Sequence, residues 1–386
     1  DDLAALAERT VNLEPGTPYT PAVIARGRRH LRKLGLFSQV RLVNEPRDST
    51  DLDLVVELEP RRMITLETSV GSFTDDWLVA RAGVTHRNLF GGGRGGAVEL
   101  TWGQYRRQAE ARTWWPGLVS PHSRTDLELR GTIEDEDSYR LEKAEAELST
   151  LFETWWSSSL RVGVMVSDGT LENRSADPDA FASEVGLLTA LGGIWYRDST
   201  DDPIDPSHGS RLDLRSEWSP PGSWTETPFA ITQMSASRYW PLGGRRTLAV
   251  RLDGGLGWPL GDAVDLRPDR RFFAGGVSTM RGFRRHDLGP RDSEGNAIGG
   301  EARLLAGAEV RLPLAGIFGL AVFVDSGQVW RDRRDLDPSD LTFAGGAGLL
   351  VYTPIGPLRL DLARNLSGLG ADQSRTLLHF GIGHPY

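Results

Sequence analysis

Residues 159–167 read SLRVGVMVS, and the alternation within them decides the fold. Leu160, Val162, Val164 and Val166 fall on one side of an extended chain, and Arg161 and Gly163 fall on the other. The same period of two appears in LVARAGVTH (78–86), where Leu78, Ala80, Ala82 and Val84 oppose Arg81, Gly83 and Thr85. It appears again in LRLDLA (358–363), where Leu358, Leu360 and Leu362 oppose Arg359, Asp361 and Ala363. From Ile64 to the last residue such segments follow one another and helical periodicity nearly vanishes.

Two architectures share this pattern. A soluble β-sandwich or propeller turns its apolar face inward, whereas a water-filled membrane barrel turns it toward lipid, and periodicity alone does not choose between them. Aromatic residues near the strand ends, at Trp114–Trp115, Trp155–Trp156, Tyr239–Trp240, Trp258 and Trp330, favour interfacial girdles. Short glycine turns such as GGGRGG alternate loosely with longer polar stretches such as YRDSTDDPIDPSHG, which suits short periplasmic turns and long external loops. Roughly 320 residues at about 20 per strand and connection allow about sixteen strands. The expected fold is therefore a transmembrane β-barrel of 16 antiparallel strands over residues 63–386. No run of eighteen apolar residues suggests a helical span.

Residues 1–62 read differently. DDLAALAERT has a short helical pattern, and PAVIARGRRHLRKLGLF predicts a helix with Val23, Ile24, Leu31 and Leu34 as its apolar stripe. Thr20 is placed to cap it, Pro21 to start it and Gly35 to end it. Two strands follow, SQVRLVNEP and DLDLVVELEP, giving a small α/β unit that needs a further strand, expected before residue 1. The chain begins Asp1–Asp2 without a signal peptide and reads as a mature form or a trimmed fragment.

Composition narrows the function. With 44 basic and 53 acidic residues the net charge is -9, which argues against nucleic acid as a partner. The absence of cysteine removes disulfides and thiolate chemistry. There is no Gly-x-Ser-x-Gly and no His-Glu-x-x-His, so no enzyme activity, cofactor or metal is expected.

One segment is too long for a hairpin turn. Between about Leu260 and Gly300 the chain holds FFAGGVSTMRGFRRHDLGP (272–290), whose aromatic and basic character predicts a folded loop in the polar lumen. A buried arginine needs an acidic partner. In RLLAGAEVRLP the residues Arg303, Gly307, Glu309 and Arg311 share the inward phase, and in GLAVFVDSGQVW Phe323 and Asp325 do. Arg281 is therefore expected to fasten the loop onto Glu309 and Asp325, with Gly282 allowing a tight bend and Phe283 packing against the wall. The bland reading, an exposed hairpin arginine with unrelated acids, is the alternative.

Here the chain closely resembles the BamA/TamA superfamily of bacterial outer-membrane assembly factors. The resemblance is carried by Arg281-Gly282-Phe283, by GGEARLLAGAEVRLP and VFVDSGQVW, by GPLRLDLARNL (356–366) and by the final TLLHFGIGHPY. DDPIDPSHGSRLDLRSE (201–217) is similar to a family hairpin, departing from it at Ser207 and His208, and Lys33-Leu34-Gly35-Leu36-Phe37 is similar to the signature of the family's POTRA repeat.

The resemblance implies an outer-membrane location with one POTRA-like domain (1–62) in the periplasm, and a role in inserting unfolded outer-membrane protein clients into the lipid bilayer, BamA-like or TamA-like. It implies a lateral seam between a first strand around Ile64–Phe73, carrying Ile64, Leu66, Thr68 and Val70, and a last strand around Thr376–Pro385, carrying Leu378, Phe380, Gly381 and Gly383. The strand around Gln39–Asn44 is expected to take up clients or a periplasmic or inner-membrane-anchored accessory protein, and Tyr386 to act as a C-terminal signal for the chain's own assembly. The alternatives are a two-partner-secretion translocator, the membrane-anchoring barrel of a secreted enzyme, and a passive porin.

Overall fold

A computed structural model describes the chain except residues 1, 12, 14, 15, 49, 50, 72–77, 155, 156, 182–184, 223, 355, 368–375, 385 and 386. Helices α1 (Asp2–Val11) and α2 (Pro21–Lys33) precede an antiparallel hairpin of β1 (Phe37–Pro46) and β2 (Leu52–Pro60). The Thr20 hydroxyl accepts the Val23 N–H at 3.3 Å, and Pro21 sits in the first turn, where its missing N–H leaves no intrahelical bond unmade. Leu6, Ala7, Leu31, Leu36, Phe37 and Val40 bury one another between the helices and the hairpin.

Among the described residues sixteen strands then run as one antiparallel meander. They are β3 (Ile64–Gly71), β4 (Val79–His86), β5 (Gly95–Trp102), β6 (Arg106–Pro116), β7 (Ser123–Asp135), β8 (Tyr139–Glu153), β9 (Ser158–Asn173) and β10 (Leu188–Asp198). They continue as β11 (Gly209–Ser219), β12 (Phe229–Gly243), β13 (Arg246–Pro259), β14 (Ala302–Pro313), β15 (Phe318–Trp330), β16 (Thr342–Val351), β17 (Leu358–Asn365) and β18 (Thr376–Ile382). Each pairs with its neighbours in sequence, so backbone groups that lie within hydrocarbon find partners in the protein except along the outer edges of β3 and β18. Val162, Val164 and Val166 are exposed, while Glu309, Arg359 and Asp361 are buried. Apolar-out with charge-in is the sense of a membrane barrel, opposite to that of a sandwich.

Three readings need correction. Tyr239 and Trp330 are buried rather than girdling, because their phase in the strand points inward; Trp330 donates to Asp340 at 3.3 Å. The exposed aromatics include Trp102, Trp218 and Trp240, and Trp155–Trp156 lie outside the described residues. The stretch taken for an external loop, 199–208, joins β10 to β11. In a meander every second connection shares an end, so this one lies with GGGRGG at the end where α2 meets the barrel through Lys33 and Glu153, 2.9 Å apart. Finally, β3 is described to Gly71 and β18 ends at Ile382, because Gly383 takes a φ of 88° and leaves the ladder; Phe73, Pro385 and Tyr386 lie outside the described residues.

Strand length varies around the barrel. β8 and β9 have 15 and 16 residues, whereas β3 and β18 have 8 and 7. At about 3.3 Å per residue the wall runs from about 50 Å of strand down to about 25 Å.

Candidate functional site: the lumen loop and the open seam

The connection between β13 and β14 folds back into the lumen. Short antiparallel bridges, Phe272 with Gly300, Ala274 with Leu288 and Gly276 with Met280, give it internal structure. Phe272, Met280, Phe283 and Leu288 pack with Phe229, Leu305, Val329 and Ala344 of the wall. Such burial stabilises by about 1.5–3 kcal/mol for each large side chain. The loop is therefore part of the core.

At its tip the Arg281 guanidinium, 1% exposed, lies in a ring of charge. Its Nε and Nη2 donate to the two oxygens of Asp325 at 2.7 and 2.9 Å, and its Nη1 donates to Glu309 at 2.7 Å. The Phe323 ring centroid lies 3.4 Å from its Cζ. Register explains the convergence: Glu309 on β14 pairs with Phe323 on β15, two residues from Asp325, so all three side chains share the inward face.

Glu309 also accepts from Arg359 on β17 at 2.7 and 3.0 Å and from Arg311 at 3.0 Å, so three guanidiniums meet one carboxylate. Asp361 accepts from Arg359 at 3.2 Å. These added partners lay on the charged phase of RLLAGAEVRLP and LRLDLA, which is the signal that points to them. His379 carried no such signal; its Nε2 accepts the Gly282 N–H at 3.0 Å, tying the loop to β18. Arg311 donates to the Pro206 carbonyl at 3.3 Å and His384 Nε2 lies 2.8 Å from Asp205, so the network reaches the 199–208 hairpin. Burial holds the His384 imidazole below its usual pKa, against the pull of Asp205.

Gly282 has a φ of 87°, and a Cβ there would lie 2.9 Å from the Ala344 Cβ. Gly282→Ala is expected to cost about 1–2 kcal/mol from the left-handed backbone alone, with the clash in addition. A lower urea midpoint for trypsin resistance of the loop would report it; an unchanged midpoint would contradict the close approach.

The second feature is an edge. Among the described residues no ladder joins β3 to β18, the two ends of the sixteen-stranded sheet. Ile64, Leu66, Thr68 and Val70 point outward from β3, as do Leu378 and Phe380 from β18. Gly381 points inward, where an added Cβ would lie 3.3 Å from Val277 of the lumen loop. Gly383 lies beyond the strand, its N–H donating to the Pro357 carbonyl at 2.8 Å.

These features define an outer-membrane-type β-barrel with a lumen-anchored loop and, among the described residues, no ladder closing the seam between its first and last strands. Residues 88–386 match the Omp85 superfamily domain, and the chain belongs to the Omp85 superfamily. It is 23% identical to the outer membrane protein assembly factor BamA of Neisseria meningitidis over 90% of this chain and 47% of that protein. The chain spans about half the length of the bacterial relatives it matches. Its fold is similar to that of BamA from Haemophilus ducreyi lacking POTRA domains 1–3, with a TM-score of 0.79 at 17% identity over 98% of this chain and 81% of that one. It is also similar to CdiB from Acinetobacter baumannii, with a TM-score of 0.62 at 14% identity over 98% and 72% of the two chains.

Proposed function

We propose that this chain is an outer-membrane β-barrel assembly factor that templates client strands at the seam between β3 and β18. The observation that carries the reading is the absence of a ladder between those strands among the described residues. Unpaired backbone groups cost several kcal/mol each in hydrocarbon. An incoming strand that pairs with them removes that cost while finding partners for its own backbone, which is β-augmentation at an edge. The short strands beside the seam support a second effect: they match only a thin bilayer, so lipid is thinned where the client inserts. The energy comes from client folding and from burial of its apolar face in lipid.

In this reading Arg281, Glu309 and Asp325 lock the loop, Gly282 and Phe283 seat it, and the loop braces β18 through His379. Residues 1–62 form a POTRA-like periplasmic domain, and the β1 edge around Gln39–Asn44 receives clients or an accessory protein. The likeness to BamA sequences supports assembly over secretion.

The test is insertion of an unfolded model barrel into liposomes with and without this protein. Assembly predicts at least a tenfold faster gain of folded, membrane-embedded client. Delivery of a soluble polypeptide to the vesicle interior, without faster barrel insertion, would favour the translocator.

A further inference from the structure

Where α2 meets the barrel there is a cavity of about 330 Å³ between His30, Lys33 and the lower ends of β6 to β8. The strands offer it their inward face. In the strand register Arg112 lies opposite Glu128 and Trp114 opposite Asp126, alternating with Ala111, which lies opposite the exposed Leu129. The cavity therefore opens on the lumen side of the wall and not on lipid.

Its charges do not balance. Lys33, Arg87, Arg112 and Arg124 line it against Glu153, in a protein whose net charge is -9. Glu153 is held by Lys33 at 2.9 Å, Arg124 is held by Asp126 at 3.1 Å, and Arg87 donates to the Arg62 carbonyl at 3.2 Å. The Arg112 side chain makes no ion pair or hydrogen bond among the described residues; the Trp114 ring centroid lies 5.9 Å from its Cζ, and its Nε is buried without an acceptor. The His30 and His122 rings meet at 4.0 Å between centroids, tilted by 40°. Burial, then His122, lowers the His30 pKa against the pull of Glu153. A buried donor without an acceptor is costly, and a guanidinium is matched best by a planar carboxylate. Beside it Trp114, Leu151 and Leu34 form an apolar wall.

We propose that this cavity binds the carboxylate-bearing end of an extended polypeptide, with the carboxylate on Arg112 and the adjoining apolar side chain against Trp114 and Leu151. A free phosphate would make no use of the apolar wall, and a lipid headgroup would have to leave the bilayer for the lumen. The inference rests on the reading of the chain as a handler of unfolded polypeptide, but its test measures binding without insertion, so the two fail separately.

The folded protein in nanodiscs is titrated into a fluorescein-labelled, unstructured octapeptide ending in leucine, as the free acid and as the C-terminal amide, and read by anisotropy. The free acid is expected to bind at least tenfold more tightly. Arg112→Gln is expected to bring it to the level of the amide, and Arg112→Lys to retain part of the difference. The comparison of acid with amide uses the native chain, so it stands even where a variant misfolds. Equal affinity of acid and amide overturns the proposal. Displacement of the acid by equimolar inorganic phosphate would assign the site to a free anion, and displacement on adding anionic phospholipid to the nanodisc would assign it to a headgroup; either overturns the polypeptide assignment.

Discussion

Arg281→Ala is expected to release the lumen loop to protease and to abolish most assembly activity. The substitution removes both guanidinium bonds to Asp325 and one to Glu309, all inside a wall where these side chains are at most 2% exposed. The two acids are not affected equally. Glu309 keeps Arg359 and Arg311, so the larger cost falls on Asp325. Breaking one side of a buried pair costs about 3–5 kcal/mol, chiefly because the other charge stays desolvated. That fixes a control: Asp325→Asn in the Arg281→Ala background is expected to recover part of the stability, because a neutral amide tolerates the site better than a carboxylate. Arg281→Lys is expected to rescue only partly, since an ammonium lacks the planar fork that spans Asp325. Trypsin cleavage at Arg284, which is exposed, reads loop release directly. Wild-type protease resistance and assembly in Arg281→Ala would contradict the lock.

The barrel was legible in the sequence because strand phase is local information. SLRVGVMVS and RLLAGAEVRLP state which face each residue takes, and sixteen strands follow from length. The convergence of Arg281 on Glu309 and Asp325 could be inferred from one unusual loop and two inward acids. Register between strands is not local, and this is why Arg359 and His379 were not joined to that cluster beforehand: their places depend on how β14 to β18 slide against one another. The side of the membrane assigned to 199–208 failed for a similar reason, since loop length is a weaker guide than counting strands. Tyr239 and Trp330 show that an aromatic near a strand end belongs to a girdle only in the outward phase.

Locking the seam is expected to have the largest effect on function. The chain contains no cysteine, so a pair placed on β3 and β18 forms the only disulfide available. Oxidation joins the two edges covalently and denies an incoming strand the unpaired backbone of either. Insertion of an unfolded model barrel into liposomes should fall at least tenfold to the rate of protein-free vesicles, and a reductant should restore it. Wild-type protein treated with the same oxidant should be unaffected.

The most direct measurement is therefore the insertion rate of the locked protein before and after reduction, in one preparation. A block that reduction reverses is the result expected of a seam that templates client strands. Equal insertion with the seam locked would contradict that mechanism and move the activity to the lumen or to the N-terminal domain.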